Sequence, residues 1–188
     1  MDLHLSVCHG DITYETSDAI VCPANNFLQF HGGVAACILK RGGKSIIDET
    51  EHIVKENIMV PTGSVEVTGS GQLQSKYIIH AVGPNLNDPS QLGLDRGQLL
   101  AFAINNTLEM AEELKCTSVS IPAIATGSFG FPKNRCAQIM FEVVLKYGLD
   151  VVDKGLDSSL KYIRFINNDE KTVEAFIDEF DRLLLNSS

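Results

Sequence analysis

The sequence predicts an α/β protein: a three-layer α/β/α sandwich around a mixed, largely parallel sheet. Three observations carry that expectation. Short apolar runs of strand type alternate with helical periodicities through most of the chain, the order that crossover helices on a sheet produce. The runs Asp18 to Pro23 and Tyr77 to Val82 are apolar at nearly every position, as strands covered on both faces are. Polar or glycine-rich loops follow several strands, which is where an open parallel sheet places its ligand crevice.

Taken in order, Leu3, Leu5 and Val7 alternate with His4, Ser6 and Cys8, a half-buried strand that stops at His9-Gly10-Asp11. The strand Asp18 to Pro23 breaks into a turn at Ala24-Asn25-Asn26, and order returns after Gly32-Gly33 with a helix from Val34 to Leu39. Beyond Gly42-Gly43, Ile46, Ile47, Ile53 and Val54 fall on one helical face, opposite Asp48, Glu49, Glu51 and Lys55. Ser64 to Thr68 reads as a strand between two glycine turns, and Tyr77 to Val82 as a buried strand ended by Gly83-Pro84. The polar stretch from Asn85 to Gly97 is long enough for a lid or surface excursion.

Leu100, Ile104, Leu108, Ala111 and Leu114 mark the next helix, Ser118 to Pro122 a short strand, and Ala123 to Phe131 a second glycine-rich loop. Pro132 suits a helix's first turn, and that helix is expected to reach Tyr147, with Asp150 to Ser159 as polar connection. Tyr162 to Ile166 is the last strand. Asn167 or Asn168 then caps a helix striped by Val173, Phe176, Ile177, Phe180 and Leu184.

At 188 residues the chain suits a single domain, 1–188, and a monomer is expected. No run approaches the roughly 18 apolar residues of a membrane span, and the N-terminus lacks a signal peptide's basic flank. The expected location is therefore intracellular, cytoplasmic or nuclear. Five scattered cysteines without a CxxC pair fit reduced thiols rather than a disulfide framework, and no metal site is expected. A net charge of −9 argues against general nucleic-acid binding, which rests on clustered Lys and Arg. A phosphorylated ligand would have to be held by backbone amides, as glycine loops at helix starts allow.

Two nucleotide motifs fail. Gly43-Lys44-Ser45 ends like a P-loop, but the first glycine of that pattern would fall at Ile38, inside a helix. Gly69-Ser70-Gly71 has Gln74 where a dinucleotide fingerprint needs its third glycine. His80, on a buried strand, reads as an interior histidine, and Cys22 is the weakest candidate nucleophile because no histidine is predictably near it.

What survives is an ordered set: Gly10-Asp11-Ile12-Thr13; Pro23-Ala24-Asn25-Asn26 leading to Gly32-Gly33-Val34; Tyr77 through Pro84; and Ile121-Pro122-Ala123 with Thr126 through Pro132. In that order and spacing the chain resembles the macrodomain family, whose members bind ADP-ribose, over nearly its whole length. It looks most similar to macrodomains of mono-ADP-ribosyltransferase-like proteins. The resemblance implies that Asp11 accepts from the adenine amino group beside the Ile12 amide. It implies that Gly32, Gly33 and Val34 form one diphosphate loop and Thr126, Gly127, Ser128, Phe129 and Gly130 the other. Asn25 would meet the distal ribose, Phe131 would pack near it, and Asn167 would line the adenine pocket. No cofactor is implied; ADP-ribose, free or as the terminal mono-ADP-ribosyl mark of a protein, is the ligand.

Taken as residues alone, Asp11 reads equally well as a turn or cap residue, Phe131 as core, Asn25 as a left-handed turn residue and Asn167 as a helix cap. The resemblance also leaves an enzyme as the alternative: a mono-ADP-ribosyl-protein hydrolase or O-acetyl-ADP-ribose deacetylase, with Asn25 and Gly33 fixing the ribose for substrate-assisted attack by water. Against it, Ala35 stands where active members often carry an acid, Phe30 where another active subgroup has histidine, and Cys22 where asparagine is common. A protein-interaction scaffold with a vestigial pocket is the third reading.

Overall fold

A computed structural model of the chain describes residues 3–186. The chain runs β1 (His4–His9), β2 (Ala19–Ala24), α1 (Gly33–Gly42), α2 (Lys44–Asn57), β3 (Val65–Gly69), β4 (Tyr77–Val82), α3 (Arg96–Glu113), β5 (Ser118–Ile121), α4 (Lys133–Asp153), β6 (Tyr162–Asn167) and α5 (Glu170–Asn186). The strands form one six-stranded sheet in the order β1-β6-β5-β2-β4-β3. Every pairing is parallel except that of β3 with β4, at the edge. The expected mixed, largely parallel sandwich is what forms.

Alternation along the strands divides the core between the two faces of the sheet. Val21, Ile79, Ile121, Ile163 and Phe165 join α3, α4 and α5 in the larger core. Ile20, Cys22, Ile78 and Ile166 meet Ile12, Ala35, Ile38 and Ile46 on the other face. The centre of the larger core is aromatic: Phe165 lies edge-on to Phe141 and Phe176, with ring centroids 5.0 and 5.2 Å apart. Such pairs add about 0.5–1.5 kcal/mol each beyond their buried area. Asp18 ties the starts of three strands together. Its carboxylate accepts from Lys76 Nζ at 2.8 Å and from Thr117 N and Oγ1 at 2.8 and 2.7 Å.

Three local expectations are corrected. α4 continues to Asp153, past Tyr147 and into the stretch read as polar connection, because Val144 and Val151 repeat on its core face at 1% and 7% exposure. Pro132 is the N-cap of α4 rather than a residue of its first turn. Neither Asn167 nor Asn168 caps α5; Asp169 Oδ1 accepts from Thr172 N at 3.0 Å, while Asn167 ends β6 with its side chain turned inward.

His80 behaves as an interior residue. Its Nε2 lies 2.8 Å from Thr68 Oγ1, its ring meets Phe30 edge-on, and burial pushes its pKa down to about 3. A proton NMR titration should find its ring signals in the neutral position from about pH 8 down to about pH 5. A midpoint near the ordinary histidine value would show that water reaches the ring.

Candidate functional site

Because β1, β6, β5, β2 and β4 run parallel, their carboxyl ends open on one side of the sheet. The loops after β1, β2 and β5 emerge there, as expected from their sequence. Opposition of His9 to Asn167 in the β1–β6 register sets the loop after β1 against the end of β6. Asp11, Ile12, Val34 and Asn167 accordingly line one narrow cleft, together with Cys37 and Pro122.

Asp11 is already oriented. As N-cap of a short 3₁₀ turn (Ile12–Tyr14), it accepts through Oδ1 from Thr13 N at 2.9 Å and Thr13 Oγ1 at 2.7 Å. Its second oxygen has no protein donor among the described residues, and the neighbouring Ile12 N–H has no protein acceptor. The cap reading of Asp11 holds for one oxygen, and the other remains unpaired. Asn167 Oδ1 accepts from Ala123 N at 2.9 Å, and its Nδ2 is buried without a partner. A buried donor of this kind is costly unless something accepts from it.

The two glycine loops share a second property. The N-cap positions of α1 and α4 are Gly32 and Pro132, neither giving a side-chain cap, whereas Asp95 caps α3 and Asp169 caps α5. α2 also lacks one, following α1 after a single glycine. Gly32 and Gly33 take φ of 110° and 58°, a region that favours glycine. The 125–131 loop is closed by Phe131 N donating to Ala125 O and Gly130 N to Gly127 O, each at 3.0 Å. Inside that ring, the N–H groups of Thr126, Gly127, Ser128 and Phe129 find no acceptor among the described residues. Consecutive unpaired main-chain donors beside a helix start form an anion site.

Gly83 lets the second loop seat closely: a Cβ there would come within 2.6 Å of Ile124 Cγ2. The outer side of that loop is held by the segment after β4, where Leu86 N donates to Phe129 O at 2.9 Å and Asn87 Nδ2 to Ser128 O at 2.8 Å. Arg96 braces that segment through Leu86 O and Gln91 O, so the 85–97 stretch is a hydrogen-bonded excursion. Asn87 and Cys37 are site residues that sequence reading missed. Asn87 contacts a loop 41 positions away, and Cys37 reads as an ordinary helix residue.

Asn25 organises the first loop, its Oδ1 accepting from Phe27 N and Gln29 N at 3.0 Å each. Phe131 is 6% exposed and packs in the larger core, as the residues alone suggest. Groups suited to proton transfer are scarce near this loop. Ala35 is buried, His31 is exposed with Nε2 3.1 Å from Gln29 Oε1, and burial pushes the Cys22 thiol up to about 12. No cluster of three or more His, Cys, Asp or Glu suited to a metal occurs among the described residues.

These features define an α/β domain with a narrow cleft and a run of unpaired backbone donors at the carboxyl end of its sheet. The chain belongs to the Macro domain family, whose sequence profile matches residues 21–140. An uncharacterized protein of Thermotoga maritima is 44% identical over 94% of this chain, which spans 28% of that relative. A region of "Protein mono-ADP-ribosyltransferase PARP9" of Mus musculus is 34% identical over 97% of the chain, covering 21% of that protein. A glycine-to-valine variant of the Oceanobacillus iheyensis macrodomain, solved with ADPR, matches at TM-score 0.85 and 28% identity, over 97% of this chain and 95% of the other.

Proposed function

We propose that this domain binds ADP-ribose, free or as a terminal mono-ADP-ribosyl group on proteins, and that it reads the mark rather than removing it. The observation that carries the reading is the run of four unpartnered N–H groups from Thr126 to Phe129, on the loop after β5, at the same end of the sheet as the Asp11 cleft after β1. The backbone donors suit a diphosphate, and the second Asp11 oxygen with the Ile12 N–H suits the donor and acceptor edge of adenine. The O. iheyensis relative solved with ADPR supports the same ligand. Reading is favoured over hydrolysis because a general base must reach the attacking water: Ala35 has no ionisable group, burial keeps the Cys22 thiol protonated, and His31 is an exposed side chain paired with Gln29.

Calorimetry with ADP-ribose should give a dissociation constant of about 1 µM, near −8 kcal/mol. Asp11→Asn is the sharper test than Asp11→Ala, since an asparagine keeps the cap on Thr13 while removing the charge. It should weaken ADP-ribose by about 10- to 100-fold, as expected for a hydrogen bond to a charged acceptor, with little change in melting temperature. An unchanged affinity would place the base elsewhere. A carboxylate-linked mono-ADP-ribosylated peptide should survive incubation with the domain; turnover abolished by Asn25→Ala would replace the reader with a hydrolase.

A further inference from the structure

A second concavity lies beside the loop after β2. The loop that leaves Asn25 continues as Phe27 to His31 and forms one wall of a groove of about 540 Å³, whose opposite wall is α2. Phe27, Phe30, Ile47 and Val54 make it apolar, and Glu51 and Lys55 stand on its rim. Phe27 is 52% exposed, yet its backbone is fixed. Asn25 Oδ1 holds the N–H groups on both sides of Leu28, and Leu28, at φ 50° and 3% exposure, plugs the loop into a small core with Val60 and Val82. Asn26 Nδ2 adds a bond to Val60 O at 2.8 Å. An exposed aromatic on a rigid loop presents a surface for another molecule at little ordering cost.

We propose that this groove receives the polypeptide that carries the ADP-ribose and selects an apolar side chain near the modified residue. The inference rests on the ligand reading above together with the distal-ribose contact that the family resemblance implies for Asn25, which would set the attached protein beside that residue. Phe27 lies two residues from Asn25, so their Cα atoms are at most about 7 Å apart. An extended peptide leaving the sugar covers that distance in about two residues, bringing the side chain about two to four positions from the modification over the groove. One side chain, Asn25, thereby sets both the sugar contact and the posture of the groove wall. The pocket is large enough for a Leu, Met or Phe side chain, and its rim carries one charge of each sign.

The test uses two peptides bearing ADP-ribose on a glutamate through a hydrolysis-resistant amide, identical except for Leu or Ser three residues after the modification, and free ADP-ribose beside them. Wild type should bind the Leu peptide about tenfold tighter than the Ser peptide, a gain typical of burying one apolar side chain. The Ser peptide should match free ADP-ribose. Phe27→Ser, a change at an exposed position, should erase the Leu advantage and leave free ADP-ribose affinity as it was. Equal affinities for the two peptides, with free ADP-ribose still bound, would overturn the groove assignment alone. No heat with free ADP-ribose would instead remove the ligand reading, and the groove's role with it. A wild-type dimer in sedimentation that Phe27→Ser disperses would assign the groove to a second copy of the chain and overturn the proposal.

Discussion

Gly127→Glu should fold as the parent does and lose at least about 100-fold in affinity for ADP-ribose, close to 2.7 kcal/mol. The position is chosen on geometry. A Cβ at Gly127 meets nothing within 4 Å, and its backbone is not in the left-handed region, so the side chain enters without strain. Its carboxylate then lies within reach of the Thr126 to Phe129 donors and repels the diphosphate from them. Gly33 would be a poorer choice, since at φ 58° a side chain brings strain that mixes with blockage. Calorimetry and a melting curve decide together: full affinity with a parental melting temperature would mean that the diphosphate does not sit on this loop.

Glu112→Ala should cost about 2–3 kcal/mol of stability at neutral pH. Glu112, near the end of α3, collects the chain where α4 turns toward β6. Its carboxylate accepts from the hydroxyls of Tyr147 and Ser158, from Ser159 N and Oγ at 2.9 and 3.0 Å, and from Leu160 N at 3.3 Å. Desolvation raises its pKa, but the Ser158 and Tyr147 hydroxyls and the two amides outweigh it and hold the group at about 2 against an ordinary 4.5. The stabilisation is therefore complete above pH 4.5 and is lost as the pH falls toward 2. With the group partly open to solvent, the pH-dependent share is about 1–2 kcal/mol. Urea denaturation of parent and variant should give a gap that narrows on going from neutral to acid solution; a gap that persists unchanged would assign the loss to packing.

Legibility in the sequence followed the range of the interaction. β4 was readable to the residue, since Tyr77 to Val82 is a continuous apolar run stopped by Gly83-Pro84. The glycine loops were readable because φ restrictions are local, and their convergence followed from strand order. Side-chain direction was not readable. Asn167 and Asn168 are the caps expected from sequence, and only the structure shows Asn167 turned inward to Ala123, in the loop after β5, while Asp169 takes the cap. The overrun of α4 escaped because Gly148 and the polar residues after it look like a terminus, while Val151 reaches the core from beyond them. The apolar groove was hidden for the same reason: Phe27 and Val54 are 27 positions apart in the chain yet line the same groove.

The two bonds from Leu86 and Asn87 to the rim of the second glycine loop carry a mechanical consequence. That rim is clamped to the strap behind it, so neither can swing outward alone. On the proposed reading, any protein that grips the strap from outside would take hold of the loop offered to the diphosphate as well.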